Sequence, residues 1–288
     1  MRRIKIILVD FSQIVISSSV DYFSKTREEF DMNLLRHIAL NTLLSLKDKL
    51  NKYSDEVVLC MDGRNYWRKE IHPHYKANRK ASQAKDKFKW DEFFQLFNQL
   101  KTEFKENLPY KCVEVERAEA DDVISVLTRI NAPHRPVVIL SSDKDFLQLS
   151  SISSNVKQYS PLHKKFLDAS GYNLFEHVIK GDDNDGIPNI FSDPDTFMVE
   201  GKRQTPVRTT ALKEWVKTGF SQPEVFCKST QDLERFEMNR RLIDLSLIPD
   251  DVVDSIVSAY NASTVDKTKL FSYLVKNRLK KILERANF

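Results

Sequence analysis

Of the 288 residues only three are cysteine, six are glycine and six are histidine. Cys60, Cys112 and Cys227 are far apart and odd in number. That argues against disulfides and a C-x-x-C zinc site, and it fits a reducing cytoplasm. Six glycines are too few for a long glycine-rich linker, and the chain carries no internal repeat or low-complexity segment. No apolar run approaches the about 18 residues of a membrane helix, so no membrane partner is expected. The opening MRRIKIILVDF imitates a secretory signal, but Asp10 interrupts it and no small-residue cleavage site follows. It reads better as a buried strand. No histidine accompanies the acidic motifs, so a Ser/His/Asp or Cys/His nucleophile has no support.

What the chain does have is segregated charge. Net charge is only +4. Yet between Arg64 and Lys89 nine lysines or arginines face only Glu70 and Asp86. Acids gather instead in short motifs, the pattern of a cation-binding site beside a polyanion-binding surface. Four apolar runs read as buried parallel strands: Ile4–Asp10, Glu56–Asp62, Lys111–Glu116 and Pro136–Asp143, with a shorter one at Asn155–Ser160. Amphipathic stretches such as Asn33–Leu50 separate them, which predicts an α/β fold with a mostly parallel central sheet flanked by helices. After about residue 170 the pattern turns helical: Leu174–Lys180, Thr209–Thr218, Gln231–Ile243, Asp250–Tyr260 and Thr268–Ala286. The last stretch reads as one helix, packing Leu270, Tyr273, Leu274, Leu279 and Leu283 inward. The expected division is 1–180 for the α/β core and 181–288 for a helical C-terminal region.

The strand ends carry the chemistry. Two strands end at Asp10 and Asp62, a third is followed by AEADD (Glu119, Asp121, Asp122), and the fourth runs into SSDKDF (Asp143, Asp145). Sites in open parallel sheets form outside the carboxyl ends of the strands. Each acid taken alone is equally a helix cap or a turn residue; their convergence on one edge is not explained that way. Clustered carboxylates raise one another's pKa and call for cations, and all-oxygen ligands suit magnesium or manganese. Two such ions about 4 Å apart clamp a phosphodiester and activate water. The stretch GDDNDGIPN adds Asp182 and Asp185. It is no EF-hand: with Gly186 sixth, Gly181 stands first and Ser192 twelfth, where Asp and Glu are required.

Directly after Asp62 the basic run interleaves Arg64, Arg68, Lys69, Lys76, Arg79 and Lys80 with Tyr66, Trp67 and Tyr75. Cations neutralise phosphates and aromatic faces stack on unpaired bases. Lys76 and Arg79, three apart, fall on one helix face able to hold a scissile phosphate. His72 and His74 read as a solvent-facing turn.

In order, LVDFSQ, VVLCMD, YKANR, AEADD, SSDKDF and KGDDND resemble the structure-specific 5′-nuclease (flap endonuclease) family. YWR, NVKQ, SP-HKK, VEG and IPD resemble its T-even bacteriophage ribonuclease H subgroup. The resemblance spans nearly the whole chain. It implies a 5′-nuclease/PIN-like core with a divergent helix–hairpin–helix in the C-terminal region, acting as a monomer in the host cytoplasm. It implies a magnesium-dependent 5′→3′ exonuclease and flap endonuclease on RNA–DNA and DNA duplexes, with manganese able to substitute. The implied role is removal of RNA primers in lagging-strand replication, with a single-stranded DNA-binding protein as partner. By motif, Asp10, Asp62, Asp121 and Asp143 surround one metal, supported by Glu119 and Asp122. Asp145, Asp182 and Asp185 serve a second, mainly through water. Lys76, Arg79 and Arg68 contact the scissile phosphate, Tyr75 stacks near the terminal bases, and Arg64 and Lys80 bind nucleic acid. The chain departs from the family after Asp185: Gly186 stands where Asn is usual, and a longer segment without glycine pairs replaces the hairpin that holds a monovalent cation. DNA contacts are expected there from Lys202, Arg203 and Arg208. Two rivals remain. A haloacid-dehalogenase-type phosphatase needs an acid where Ser12 stands, and a non-catalytic junction-binding protein would have lost site acids, whereas all nine are present.

Overall fold

In a computed structural model, residues 5–50 and 56–285 are described. Ile4 and Ala286, which bound two of the expected elements, lie outside them. The chain runs β1 (Ile6–Asp10), α1 (Phe11–Thr26), α2 (Met32–Leu50), β2 (Glu56–Met61), α3 (Arg68–Ile71), α4 (Ala77–Gln83), α5 (Trp90–Asn107), β3 (Lys111–Glu114), α6 (Ala120–Asn131), β4 (Val137–Leu140), β5 (Val156–Ser160) and β6 (Lys165–Phe166). It continues with α7 (Leu174–Lys180), α8 (Thr209–Thr218), α9 (Thr230–Ile243), α10 (Asp250–Ala262), α11 (Thr268–Lys276) and α12 (Lys280–Arg285). Short 3-10 turns lie at Lys144–Ser151, Gly219–Ser221 and Pro223–Val225. Among the described residues no helix is long and apolar enough to cross a membrane.

The strands form one sheet in the order β3-β2-β1-β4-β5-β6, parallel except for the antiparallel β6. Continuous apolar runs make such strands because both faces are covered. Ile7, Val9, Leu59, Met61, Val138 and Leu140 share one core with α1, α2 and α5. The alternate residues Ile6, Leu8, Val58, Cys60 and Ile139 are also buried, and α6 packs along β1 to β4. The strand order reverses between β1 and β4, the place where open α/β sheets build sites. Register there sets Val9 beside Leu140 and Asp10 beside Cys60. The acids that follow β1, β2 and β4 thus leave three neighbouring strands at one edge.

The described chain divides into two compact units that interleave along the sequence. The first comprises the residues up to Arg64, Lys87–Asp168 and those from Asp250 onward; it holds the sheet, α1, α2, α5, α6 and α10 to α12. The second comprises Asn65–Asp86 and Ala169–Pro249, with α3, α4 and α7 to α9. Its own core is Phe175, Val178, Ile179, Phe226, Phe236, Leu242 and Ile243, joined by Tyr75, Ile187 and Ile190.

The single C-terminal helix expected from the sequence is two. Arg278 adopts the left-handed conformation at φ 55°. Leu279 N–H donates to Leu274 O at 2.9 Å and Arg278 N–H to Val275 O at 3.0 Å. This is a Schellman turn, with Leu274 and Leu279 both buried as its hydrophobic contact. Sequence patterning misses it because the left-handed position holds arginine rather than glycine.

Candidate metal centre and nucleic-acid interface

In the first unit Asp10 ends β1 and caps α1. Its Oδ1 accepts the Gln13 N–H at 3.1 Å and its Oδ2 accepts the Ser141 hydroxyl at 2.8 Å. It is 5% exposed. Burial, then the Asp62 charge, push its pKa up to about 7 against the hydrogen bonds from Ser141 and Gln13, with Asp143 adding to the rise. Asp62 follows β2. Its Oδ1 accepts the N–H of Ala120, the first residue of α6, at 2.9 Å. Its carbonyl accepts from the buried Lys101 ammonium at 2.5 Å, which also pairs with Glu114. The next residue must be glycine, since a Cβ on Gly63 would lie 1.9 Å from Val115 O.

Glu119 and Asp122 have a local job. They form a capping box at the start of α6, with Asp122 accepting the Glu119 N–H at 2.9 Å, and both are buried. Asp121, between them, is half-buried in the first turn, where the helix dipole favours an anion. Asp143 is exposed and caps the turn after β4, its Oδ1 accepting the Asp145 N–H at 2.9 Å, while Asp145 is half-buried. Asp62 and Asp143 thus stand close enough to Asp10 to act on its charge. These oxygen donors, with a buried carboxylate pushed up by its neighbours, fit hard divalent cations.

In the second unit the GDDNDG stretch is a closed turn. Asp182 and Ile187 exchange two backbone hydrogen bonds, each 2.8 Å. The Asp182 Oδ1 accepts the N–H groups of Asn184 and Asp185 at 2.8 and 3.2 Å. Burial would raise the Asp182 pKa, but His177 and these two N–H groups hold it below the usual range. The α3–α4 segment is fastened to this turn. Asp185 accepts from Tyr75 Oη at 3.0 Å and Arg79 Nη2 at 2.5 Å, with Lys76 Nζ at 3.5 Å. Asn78 Nδ2 donates to Asp183 O at 2.5 Å.

Several expectations change here. Asp185 is bound to cations instead of lying open for an ion. Arg68 is 2% exposed and its Nε donates to Leu242 O at 2.9 Å, so it holds α3 to α9 rather than facing a phosphate. Tyr75 is 3% exposed, its ring in the core and unable to stack on bases. His72 is buried with Nε2 3.1 Å from Gly186 O, not in a solvent-facing turn. Lys202 pairs with Asp193 at 3.0 Å and Asp195 at 2.5 Å. Lys76 stands before α4 at φ 58°, reaching Asp185 from a left-handed position rather than from the helix. Arg64, Lys80, Arg203 and Arg208 are exposed, as phosphate contacts require.

The sequence reading passed over three residues. His177 lies 3.3 Å from Asp182 Oδ2 through Nε2 and 3.1 Å from Tyr172 Oη through Nδ1. Its spacing of five from Asp182 spans the end of α7 and matches no helical repeat. Lys101 left a signal, standing four residues after Phe97 on the apolar stripe of α5. Ser141 left none.

Residues 5–176 match the family described as 5′-3′ exonuclease, N-terminal resolvase-like domain. The chain belongs to the 5′-3′ exonuclease family. Residues 169–288 match the C-terminal domain of T4 RNase H. The chain is 31% identical over 293 residues to ribonuclease H of Enterobacteria phage T4, covering 98% of this chain and 95% of that protein. Two solved structures share the fold at 17% identity. Bacteriophage T5 flap endonuclease, in a pseudo-enzyme–product complex with DNA and metal ions, aligns with a TM-score of 0.60 over 99% of this chain and 100% of that one. The T5 protein co-crystallised with metal ions aligns at 0.59 over 98% and 100%. The 5′-3′ exonuclease family comprises nuclease hydrolases.

Proposed function

We propose that the protein is a magnesium-dependent 5′→3′ exonuclease and flap endonuclease that acts on RNA–DNA and DNA duplexes and removes RNA primers during lagging-strand synthesis. The observation that carries this reading is the convergence of Asp10, Asp62 and Asp143, with Asp121 and Asp145 nearby in sequence, on the carboxyl edge of three neighbouring strands. Asp10, Asp62, Asp121 and Asp143 would hold a divalent ion in the first unit, Asp145 extends that group, and Glu119 and Asp122 cap the helix whose first turn presents Asp121. In the second unit Asp182 would serve a further ion mainly through water, since Asn184, Asp185 and His177 already lie against its oxygens. Bound divalent ions supply Lewis-acid polarisation of the phosphodiester and lower the pKa of water. Lys76 and Arg79, kept in place by Asp185, offset charge on the substrate phosphate. Arg64, Lys80, Arg203 and Arg208 contact the nucleic-acid backbone.

The test is direct. With magnesium and a 5′-labelled RNA–DNA duplex the protein releases short products from the 5′ end, and a 5′-flap duplex is cut near its junction. Asp143→Asn abolishes release while duplex binding persists. Binding without any release by the unaltered protein would leave only the junction-binding alternative. Normal cutting by Asp143→Asn would remove that residue from the metal group.

A further inference from the structure

We infer that Ser141, braced by Gln158, is the positioning residue that fixes Asp10 and Asp143 as a pair ready for a divalent ion. The inference rests on the metal-site reading above. Ser141 is the first residue after β4 and has no exposed surface. Its hydroxyl has one proton, which it donates to Asp10 Oδ2 at 2.8 Å, and its oxygen accepts the Asp143 N–H at 3.1 Å. One atom therefore ties the carboxylate ending β1 to the backbone that presents Asp143, across the point where the strand order reverses.

The rest of Ser141 is equally committed. Its N–H donates to Tyr159 O at 3.2 Å, and its carbonyl accepts from Gln158 Nε2 at 3.0 Å. The same Gln158 nitrogen reaches Asp143 O at 2.5 Å, so β5 grips the loop on both sides of Ser142. Gln158 is 5% exposed, and its amide nitrogen serves these two carbonyls. A buried, fully bonded serine costs more to fold than an apolar residue of its size unless its bonds are used. Here they hold two carboxylates in fixed orientation, which is how groups behind the ligands set metal affinity. Alanine would nearly keep the volume and remove the bridge, taking from Asp10 the hydrogen bond on its Oδ2 and from the Asp143 N–H its acceptor.

Calorimetric titration of the full chain with manganese alone, without nucleic acid, tests this. Ser141→Ala is expected to bind manganese about 10–100-fold more weakly. Cleavage of a flap duplex should fall by a larger factor at limiting than at saturating magnesium. Unchanged manganese affinity in a folded Ser141→Ala protein overturns the inference, as does a loss of cleavage that is the same at every magnesium concentration. If Ser141→Ala does not fold, Gln158→Met decides, since it keeps the hydroxyl but frees the loop: weakened manganese binding supports the role and unchanged binding overturns it. Asp143→Asn separates the two readings. If it binds manganese and cuts normally, the metal site itself is misassigned. If it loses both while Ser141→Ala loses neither, only the positioning role fails.

Discussion

Asp10 is nearly buried, with Asp62 and Asp143 as charged neighbours and Lys101 turned to the carbonyl of Asp62 rather than to its carboxylate. Its folded pKa of about 7 lies above the ordinary 3.8. Below 3.8 both folded and unfolded chains carry the proton, and Asp10 costs nothing. As pH rises towards 7 the unfolded chain releases the proton first, so folding is progressively penalised; above 7 the penalty is constant. The metal-free protein should therefore lose stability between about pH 4 and 7 through this group. Asp10→Asn should remove that part of the loss, gaining stability over the parent at pH 8 but not at pH 4. Urea unfolding of both proteins in chelator at the two pH values checks it. A parallel pH dependence in the two proteins would show that Asp10 is not the strained acid. A divalent ion supplies the missing positive charge, so the same difference should shrink when magnesium is added.

The break between α11 and α12 depends on one left-handed residue, Arg278, which is exposed. A side chain at positive φ costs roughly 1 kcal/mol that glycine avoids. Arg278→Gly should raise stability by about 0.5–1 kcal/mol, measured as a higher denaturation midpoint with unchanged slope. A lower midpoint would mean that the arginine side chain contributes more than its backbone costs. This turn also marks what the sequence could convey. Four of the five longer strands were legible because they are continuous apolar runs leading towards acids, and the ends of α7 and α8 because a glycine closes each, Gly181 and Gly219. The strand Lys165–Phe166 was not, since two exposed residues carry no period. The acids at the ends of β1, β2 and β4 were legible as a set because each closes or follows an apolar run. The fastening of Asp185 to Tyr75, Lys76 and Arg79 was not, because it joins segments about a hundred residues apart and spends on each other charges that look free in a string. Burial of Arg68 and His72 escaped for the same reason.

Charge in the whole molecule is more lopsided than its net value suggests. Setting aside the nine candidate site acids leaves 32 of the 41 acids against 45 lysines and arginines, an excess of 13. If that excess meets phosphates, affinity for duplex falls steeply with salt, the logarithmic slope being about 0.9 per phosphate contacted. Not every cation should count equally. Arg203 and Arg208 are exposed, whereas Lys202 is already paired with Asp193 and Asp195. Surface pairs of this kind add little stability, but a paired lysine releases fewer counterions when DNA arrives. Binding of a labelled 5′-flap duplex to the Asp143→Asn protein, measured by anisotropy across 50–200 mM salt in chelator, should lose about 10³-fold or more if six or more phosphates are contacted. Arg203→Ala and Arg208→Ala should each flatten the slope by about 0.9, and Lys202→Ala by clearly less. An equal effect from Lys202→Ala would mean that its two carboxylates release it on binding. A slope near zero would mean that the excess charge serves solubility, and the phosphate-binding surface would have to be sought elsewhere.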